Sequence, residues 1–390
     1  MDFRRIGSLP PYAFAEVNRR KAEVIAAGGD VVDLGFGNPD IPSPAVAVET
    51  LVDEVQNTWN HRYSVSRGVD DLRVALAGRY QRRFGVELDP ETEVIATIGS
   101  KEGLAHLLWV LLQRGDVAIV PEPSYPIHIY APIIAGAEVR RAPISSQDDY
   151  FEVVDRMFQN SWPRPRVIIV SFPHNPTTKT VDIEFFSRLV DFARENEVVI
   201  VHDFAYADVT FDGYRPPSIL EVPGAFEVAV ELYSLTKGHS MAGWRVGFVS
   251  GNAEIVAALA KLKSYLDYGT FQPIQLAAAR ALETGDDFVE EVCAIYQQRR
   301  DTLVDGLTAG GWKVDRPVGT MFVWAEIPGP YADMGSLDFS IQLLEEAGVA
   351  VSPGIGFGPS GEGFVRFALV DDDARIEMAT ERIAETLDRL

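Results

Sequence analysis

Lys237 lies in Tyr233-Ser-Leu-Thr-Lys237-Gly-His-Ser-Met-Ala-Gly243-Trp-Arg245, between two apolar runs. Ser234 is three residues before it and Arg245 eight after. The spacing sets an amine nucleophile beside a hydroxyl and a guanidinium, both suited to a phosphate. A lysine that forms a Schiff base with pyridoxal phosphate needs this kind of setting. Most lysines are solvated surface residues, so Lys237 alone does not decide the matter; the upstream motifs do.

Asp203 closes Val-Val-Ile-Val-His-Asp203, at the end of an apolar run. A carboxylate there can keep a pyridinium nitrogen protonated through a charge-assisted bond, although it can equally cap a helix. Tyr206, three residues on, can set its hydroxyl against a phenolic oxygen of such a ring. Asn175 precedes Pro176, an ordinary turn signal, and its amide can donate to that same oxygen. Gly99-Ser100-Lys101-Glu102-Gly103 joins an apolar run to an apolar helix. Helix-start N–H groups, the Ser100 hydroxyl and the Lys101 ammonium form an anion site, to which Ser234 and Arg245 add. Tyr125, flanked by prolines, can stack on a flat ring. Arg366 interrupts the apolar Phe364-Val-Arg366-Phe-Ala and needs a partner there: an internal acid or a bound carboxylate gripped fork to fork. No Walker pattern and no Gly-x-Gly-x-x-Gly after the first strand speaks for a nucleotide.

These residues need a frame. Val94–Ile98, Val117–Val120, Val167–Phe172, Val198–His202, Ala229–Leu235 and Arg245–Ser250 are short, β-branched and continuous, as in strands buried on both faces of a mostly parallel sheet. Helical patterns at Ser100–Leu112, Ile183–Glu197 and Ala253–Leu266 alternate with them, which gives an α/β fold. Every motif above falls at the carboxyl end of a strand, where such sheets hold ligands. A long helical pattern from Gln275 to Gly310 follows. The chain divides into an N-terminal arm (1–45) that packs on the last unit, a large domain (46–270), and an interdomain helix with a smaller α+β domain (271–390).

Composition narrows the function. The chain has 390 residues, a formal net charge of −22 and one cysteine, Cys293. The acidity disfavours nucleic acid and anionic membranes. One cysteine allows no disulfide framework and no Cys-based metal cluster. Without a membrane-length apolar run or a signal-like start, the expectation is a cytoplasmic enzyme with no metal.

Together the motifs resemble the class I aminotransferases of the type I pyridoxal-phosphate fold. The resemblance runs end to end: Gly35-x-Gly37-Asn-Pro39, Tyr63-Ser-x-Ser-Arg67-Gly68, Gly99-Ser-Lys-Glu-Gly103, Pro123-Ser-Tyr125-Pro, Asn175-Pro, Asp203-x-x-Tyr206, Ser234-x-x-Lys237, Arg245 and Arg366. Gly99-Ser-Lys-Glu-Gly-Leu-Ala-His and Val351-Ser-Pro-Gly-Ile-Gly-Phe-Gly look like a narrower branch, the bacterial glutamate–pyruvate and LL-diaminopimelate aminotransferases. The resemblance implies a seven-stranded sheet and a ping-pong transaminase. In it Lys237 binds the cofactor covalently and Asp203 pairs with its ring nitrogen. Tyr206 and Asn175 hold its phenolic oxygen, Tyr125 stacks on it, and Ser100, Lys101, Ser234 and Arg245 bind its phosphate. Tyr63 reaches a phosphate across a homodimer interface. Arg366 grips the substrate α-carboxylate, with Gly37 and Asn175 nearby and Tyr12 on a covering arm. Thr177-Thr178-Lys179 stands where many relatives have Gly and His239 where some carry an aromatic, departures expected to alter the rim of the site.

Three readings compete. An alanine-forming glutamate–pyruvate aminotransferase leads, with LL-diaminopimelate or another amino acid as alternative substrate. A C–S lyase or decarboxylase would share most cofactor residues. A regulator's sensor module would need a DNA-binding segment, and none fits ahead of residue 30. For a second substrate carboxylate the cations Lys101, Arg67 and Lys179 all stay open, and Met321–Trp324 reads first as a core strand.

Overall fold

The computed structural model describes residues 7, 9, 14–144 and 149–389. Near the N-terminus a short strand, β1 (Val32–Asp33), pairs with a strand of the C-terminal region rather than with the central sheet. That sheet has seven strands: β2 (Val94–Thr97), β3 (Val117–Glu122), β4 (Glu138–Pro143), β5 (Val167–Val170), β6 (Val199–Asp203), β7 (Ala229–Ser234) and β8 (Gly247–Gly251). Their order is β2-β8-β7-β6-β5-β3-β4. All neighbours are parallel except those of β8, which runs antiparallel to both β2 and β7.

The strands fit this sheet because both faces are apolar. Ile168 and Val170 of β5 enter one core with Ile119, Ile200 and Phe248. Val167 and Ile169, one residue out of phase, enter another with Val120, Val201 and Leu232. Period-two alternation of apolar side chains on both faces is the pattern of a covered parallel sheet. A third core joins Val32 and Leu34 to Val323, Val349, Val365 and Phe367. Around it lie β9 (Phe322–Glu326), β10 (Val349–Ala350), β11 (Ser352–Pro353) and β12 (Phe364–Ala368), with β1 on β10 and a three-stranded sheet β11-β12-β9.

Two expectations change. β4 was not among the strands read from the sequence. As Glu138-Val-Arg-Arg-Ala-Pro it is polar, because it lies at the sheet edge with Glu138 exposed, where charge guards an open ladder. The helical pattern from Gln275 to Gly310 is two helices, Gln272–Thr284 and Asp286–Ala309, parted at Gly285. A side chain there would press to 2.4 Å of the Ala281 carbonyl oxygen.

The consequence for a site is directional. The carboxyl ends of β2, β3, β5, β6 and β7 share one edge of the sheet. Since β8 is reversed, its start, just after Arg245, arrives at that edge too. No helix of the described residues is long and apolar enough to cross a membrane.

Candidate active site

At that edge lies a cavity of about 430 Å³. Its wall includes Gly37, Ser100, Lys101, Tyr125, Asn175, Asp203, Tyr206, Ser234, Lys237, Arg245 and Arg366, so residues up to 329 positions apart in sequence come together there. Two expected residues are not in that wall as described. Tyr12 lies outside the described residues. Tyr63 is 85% exposed, away from the cavity, with its ring 4.6 Å from that of Tyr268.

One end of the cavity is built for an anion. The helix Ser100–Leu111 starts there, and its first N–H groups have no partner inside the helix. Gly99 has φ +81°, and a side chain on it would meet the Arg245 guanidinium at 2.2 Å. A side chain on Gly247 would reach the Ser100 nitrogen at 2.4 Å. The two glycines thus let Arg245 and the helix start close on one point. Arg245 itself has φ +56°, and its Nη1 donates to the Ala242 carbonyl at 3.0 Å. The Lys101 ammonium lies 5.6 Å from the centre of the Tyr125 ring.

Another part of the wall carries a carboxylate, Asp203. Asp203 Oδ1 accepts the Ala205 N–H at 3.2 Å, and Oδ2 lies 2.7 Å from Nε2 of buried His128. His128 Nδ1 lies 2.9 Å from the Ser124 hydroxyl. The imidazole can donate from Nε2 to the carboxylate while Nδ1 accepts from Ser124, which fixes the direction of Asp203.

Lys237 Nζ donates to the Gly37 carbonyl at 2.8 Å. Burial, then the positive charges of Arg366 and Arg245, push its amine down to about 7. Desolvation disfavours an ammonium, and like charges add to the cost. The Asn175 amide nitrogen lies 3.5 Å from the Tyr206 hydroxyl, so both face one spot. Burial raises the Tyr206 phenol far above its ordinary range. Arg366 donates through Nη1 to Asn175 Oδ1 at 2.7 Å and through Nη2 to the Gly35 carbonyl at 3.2 Å. Its guanidinium lies 3.9 Å from the Phe322 ring centre and 4.6 Å from that of Phe357. Gly37 is tight, since a side chain there would enter the Phe322 ring at 2.5 Å.

Below the Lys237 loop is a buried ionic cluster. Arg79 donates to Asp208 at 2.7 Å and to the Tyr233 hydroxyl at 2.7 Å. Tyr233 in turn donates to Asp208. Burial would raise the Asp208 carboxyl, but Arg79, His239 and Arg83 overcome it and hold it at about 2. Fully buried His239, two residues after Lys237, is pushed down to about 3, chiefly by burial and then by Arg79.

Sequence reasoning missed His128 and Ser124 as parts of the site. The signal was present: two polar residues four apart at a helix start, beside the already suspected Tyr125. It also missed the helix Phe14–Ala26, whose Phe14, Val17, Asn18 and Lys21 line the cavity.

The family model for aminotransferase class I and II matches residues 29–383. The glutamate-pyruvate aminotransferase AlaC of Escherichia coli is 50% identical over 381 residues, 98% of this chain and 92% of that protein. An LL-diaminopimelate aminotransferase of Nitratidesulfovibrio vulgaris is 44% identical over 382 residues, 98% of each chain. Among solved structures, an aspartate aminotransferase mutant of Thermus thermophilus superposes with a TM-score of 0.91, 30% identity and 98% of each chain covered.

The chain belongs to the class I and II aminotransferases. It is a fold type I enzyme of the transaminase class, and pyridoxal 5′-phosphate is its cofactor. The donor set of the wall fits that group: an anion cradle, a fixed carboxylate, an amine and two donors that face one spot.

Proposed function

We propose that this aminotransferase moves an amino group between glutamate and pyruvate, forming alanine. The observation that carries the reading is the placement of the Lys237 amine and the Arg366 guanidinium on two carbonyls of one wall, Gly37 and Gly35, with only Phe36 between them. An α-amino acid held by its carboxylate on Arg366 then presents its Cα–H to Lys237. The 50% identity to a glutamate–pyruvate enzyme supports the substrate pair.

Each residue has a task. Pyridoxal phosphate, when bound, supplies the aldehyde that captures an amino group and the ring that takes up electron density from Cα. Lys237 would hold the cofactor covalently and, as the amine beside the substrate, would serve as the base that carries the Cα proton. Its lowered basicity keeps much of the amine uncharged near neutrality. Asp203, aimed by His128 and Ser124, holds a proton on the ring nitrogen. Tyr206 and Asn175 donate to the ring oxygen, and Tyr125 covers the ring face. Ser100, Lys101, Ser234, Arg245 and the helix start bind the phosphate. Arg366, stacked between Phe322 and Phe357, grips the α-carboxylate bidentately. Donor and acceptor use one cavity in turn, so kinetics are ping-pong.

Exposed Trp59, Tyr63, Tyr265 and Tyr268 support a homodimer in which Tyr63 reaches the partner's phosphate site, as such an aromatic patch marks an interaction surface. A second substrate reading, LL-diaminopimelate, has support from the 44% relative. A panel of amino donors against pyruvate and 2-oxoglutarate tests the proposal. Glutamate with pyruvate should give the highest kcat/KM. Keto acid release that continues past one equivalent per active site without an acceptor, as from a C–S lyase, would refute transfer.

A further inference from the structure

The segment Glu122-Pro123-Ser124-Tyr125 leaves the end of β3 toward the cavity, which Tyr125 lines. Two of its groups hold a distant stretch of chain. The Ser124 N–H donates to the Phe357 carbonyl at 2.8 Å. Glu122 Oε1 accepts the Ser360 N–H at 3.1 Å, across 238 residues. Both partners belong to one loop, two short helical turns at Gly354–Phe357 and Pro359–Gly361 that join β11 to β12. The central sheet and the C-terminal sheet are thus fastened together beside the cavity.

The loop behaves as one body because its ends close on each other. A side chain on Gly354 would meet the Gly361 carbonyl oxygen at 1.9 Å, and one on Gly361 would meet the Gly354 oxygen at 2.1 Å. The Ile355 N–H donates to Ser336 Oγ at 3.1 Å. Between these ties the loop presents Phe357, which is buried. Its ring centre lies 4.6 Å from the Arg366 guanidinium, 5.9 Å from the Trp324 ring and 5.2 Å from that of Phe14. A planar guanidinium held between Phe357 and Phe322 keeps its orientation; with one ring gone it is free to tilt.

Glu122 is an unusual choice for such a fastening. It is buried, and burial lifts its carboxyl above the ordinary range, against the pull of the Ser360 N–H and then of Arg141. Arg141 Nη1 lies 3.6 Å from Oε2. A buried carboxylate is tolerated where donors meet it, and the loop is shaped to do so. Gly358 has φ +119°, and a side chain on it would fall 2.1 Å from Glu122 Oε1. The glycine lets the loop backbone close over the acid.

Resting on the α-carboxylate role of Arg366 proposed above, we infer that Glu122 is a positioning residue for that grip. It docks the loop Gly354–Gly361 onto the end of β3, and the docked loop keeps Phe357 on one face of Arg366. Glu122 itself stands outside the cavity wall. Its influence therefore falls on every α-carboxylate alike, whatever the substrate side chain, and leaves the proton transfer at Lys237 untouched.

The test uses pyridoxal-phosphate-loaded protein with Glu122→Leu, Glu122→Gln, Gly358→Ala and Arg366→Met. Leucine fills the space without an acceptor, and glutamine keeps an oxygen for the Ser360 N–H. Gly358→Ala breaks the same contact from the loop side with Glu122 in place, and carries the test if the leucine variant does not fold. Amide hydrogen exchange over residues 354–361 reads docking. Ligand-observed NMR with propionate, an acid without an amine, reads the grip. In Glu122→Leu and Gly358→Ala the loop should exchange about fivefold faster or more, and propionate should bind about fivefold more weakly. KM for amino acids and keto acids should rise by a similar factor, with kcat within about twofold. Glu122→Gln should restore both readings to within about twofold of the wild type.

Unchanged exchange in Glu122→Leu and Gly358→Ala would overturn the docking role. Faster exchange with unchanged propionate affinity would overturn the link to Arg366. No recovery in Glu122→Gln would count against it as well, since an acceptor at that place would then not be what the loop needs. Arg366→Met separates this step from the reading beneath it. If removing the guanidinium leaves propionate binding intact, the proposed role of Arg366 falls. If it abolishes binding while Glu122→Leu and Gly358→Ala bind as the wild type does, that role stands and only the part given to Glu122 is lost.

Discussion

At the residue scale the reactive amine is prepared by its surroundings before any substrate arrives. Burial comes first, then Arg366 and Arg245, and together they bring Lys237 to about 7. A protonated amine has no lone pair, so the sign follows directly: cofactor-free protein should capture pyridoxal phosphate slowly near pH 6 and faster near pH 8, levelling above that range. Stopped-flow absorbance reads this rate, and a flat profile would show that the amine is not poised as described. Arg366→Met should move the midpoint upward by removing a positive neighbour. Lys237→Ala should lower turnover by about 10⁴-fold or more, since it removes the anchor and the proton carrier together. Activity near the wild-type level would displace Lys237 from the mechanism.

At the element scale, the site is a set of chain reversals at one sheet edge, and glycine decides how closely they approach. Gly99 combines φ +81° with a Cβ position 2.2 Å from Arg245. Gly99→Ala therefore pays twice, in backbone strain and in a displaced guanidinium. Its affinity for pyridoxal phosphate should fall about tenfold, with the fold retained, as equilibrium dialysis beside circular dichroism would show; unchanged affinity would remove Arg245 from the phosphate end. The sequence made this edge legible because each strand carries its functional residue just past an apolar run. Asp203, Ser234 and Ser100 were found that way, and the reversed β8 delivers Arg245 by the same logic. What stayed hidden was non-local or polar. His128 pairs with Asp203 across 75 residues, and β4 wears its charges as an edge strand should. Lys21 sits in a charged helix where neighbours such as Arg19 bridge Glu16 and Glu23, so no local pattern set it apart. Gly285 reads as one tolerated glycine in a helical run, and only its backbone angles, φ −93° and ψ 13°, show the break.

At the scale of the whole molecule, the site as proposed is incomplete in one chain. Tyr63 is 85% exposed, with its ring centre 4.6 Å from that of Tyr268, and has no seat in its own cavity. Exposed aromatic rings cost free energy in water, and a second copy related by two-fold symmetry would cover them while carrying each Tyr63 to the other's phosphate end. The arrangement has a consequence that a monomer cannot imitate. A Tyr63→Ala subunit keeps its own Lys237, and a Lys237→Ala subunit keeps its own Tyr63. Paired, they rebuild one complete site, made of Lys237 from the first and Tyr63 from the second. Subunits of the two variants, exchanged in mild denaturant and returned to buffer, should therefore exceed the mean activity of the two treated alone. Sedimentation velocity on the same samples checks that exchange yields dimers. If dimers form and activity equals that mean, Tyr63 acts within its own chain or not at all. If no dimer forms, the aromatic patch needs another partner, and the phosphate is held by Ser100, Lys101, Ser234 and Arg245 alone.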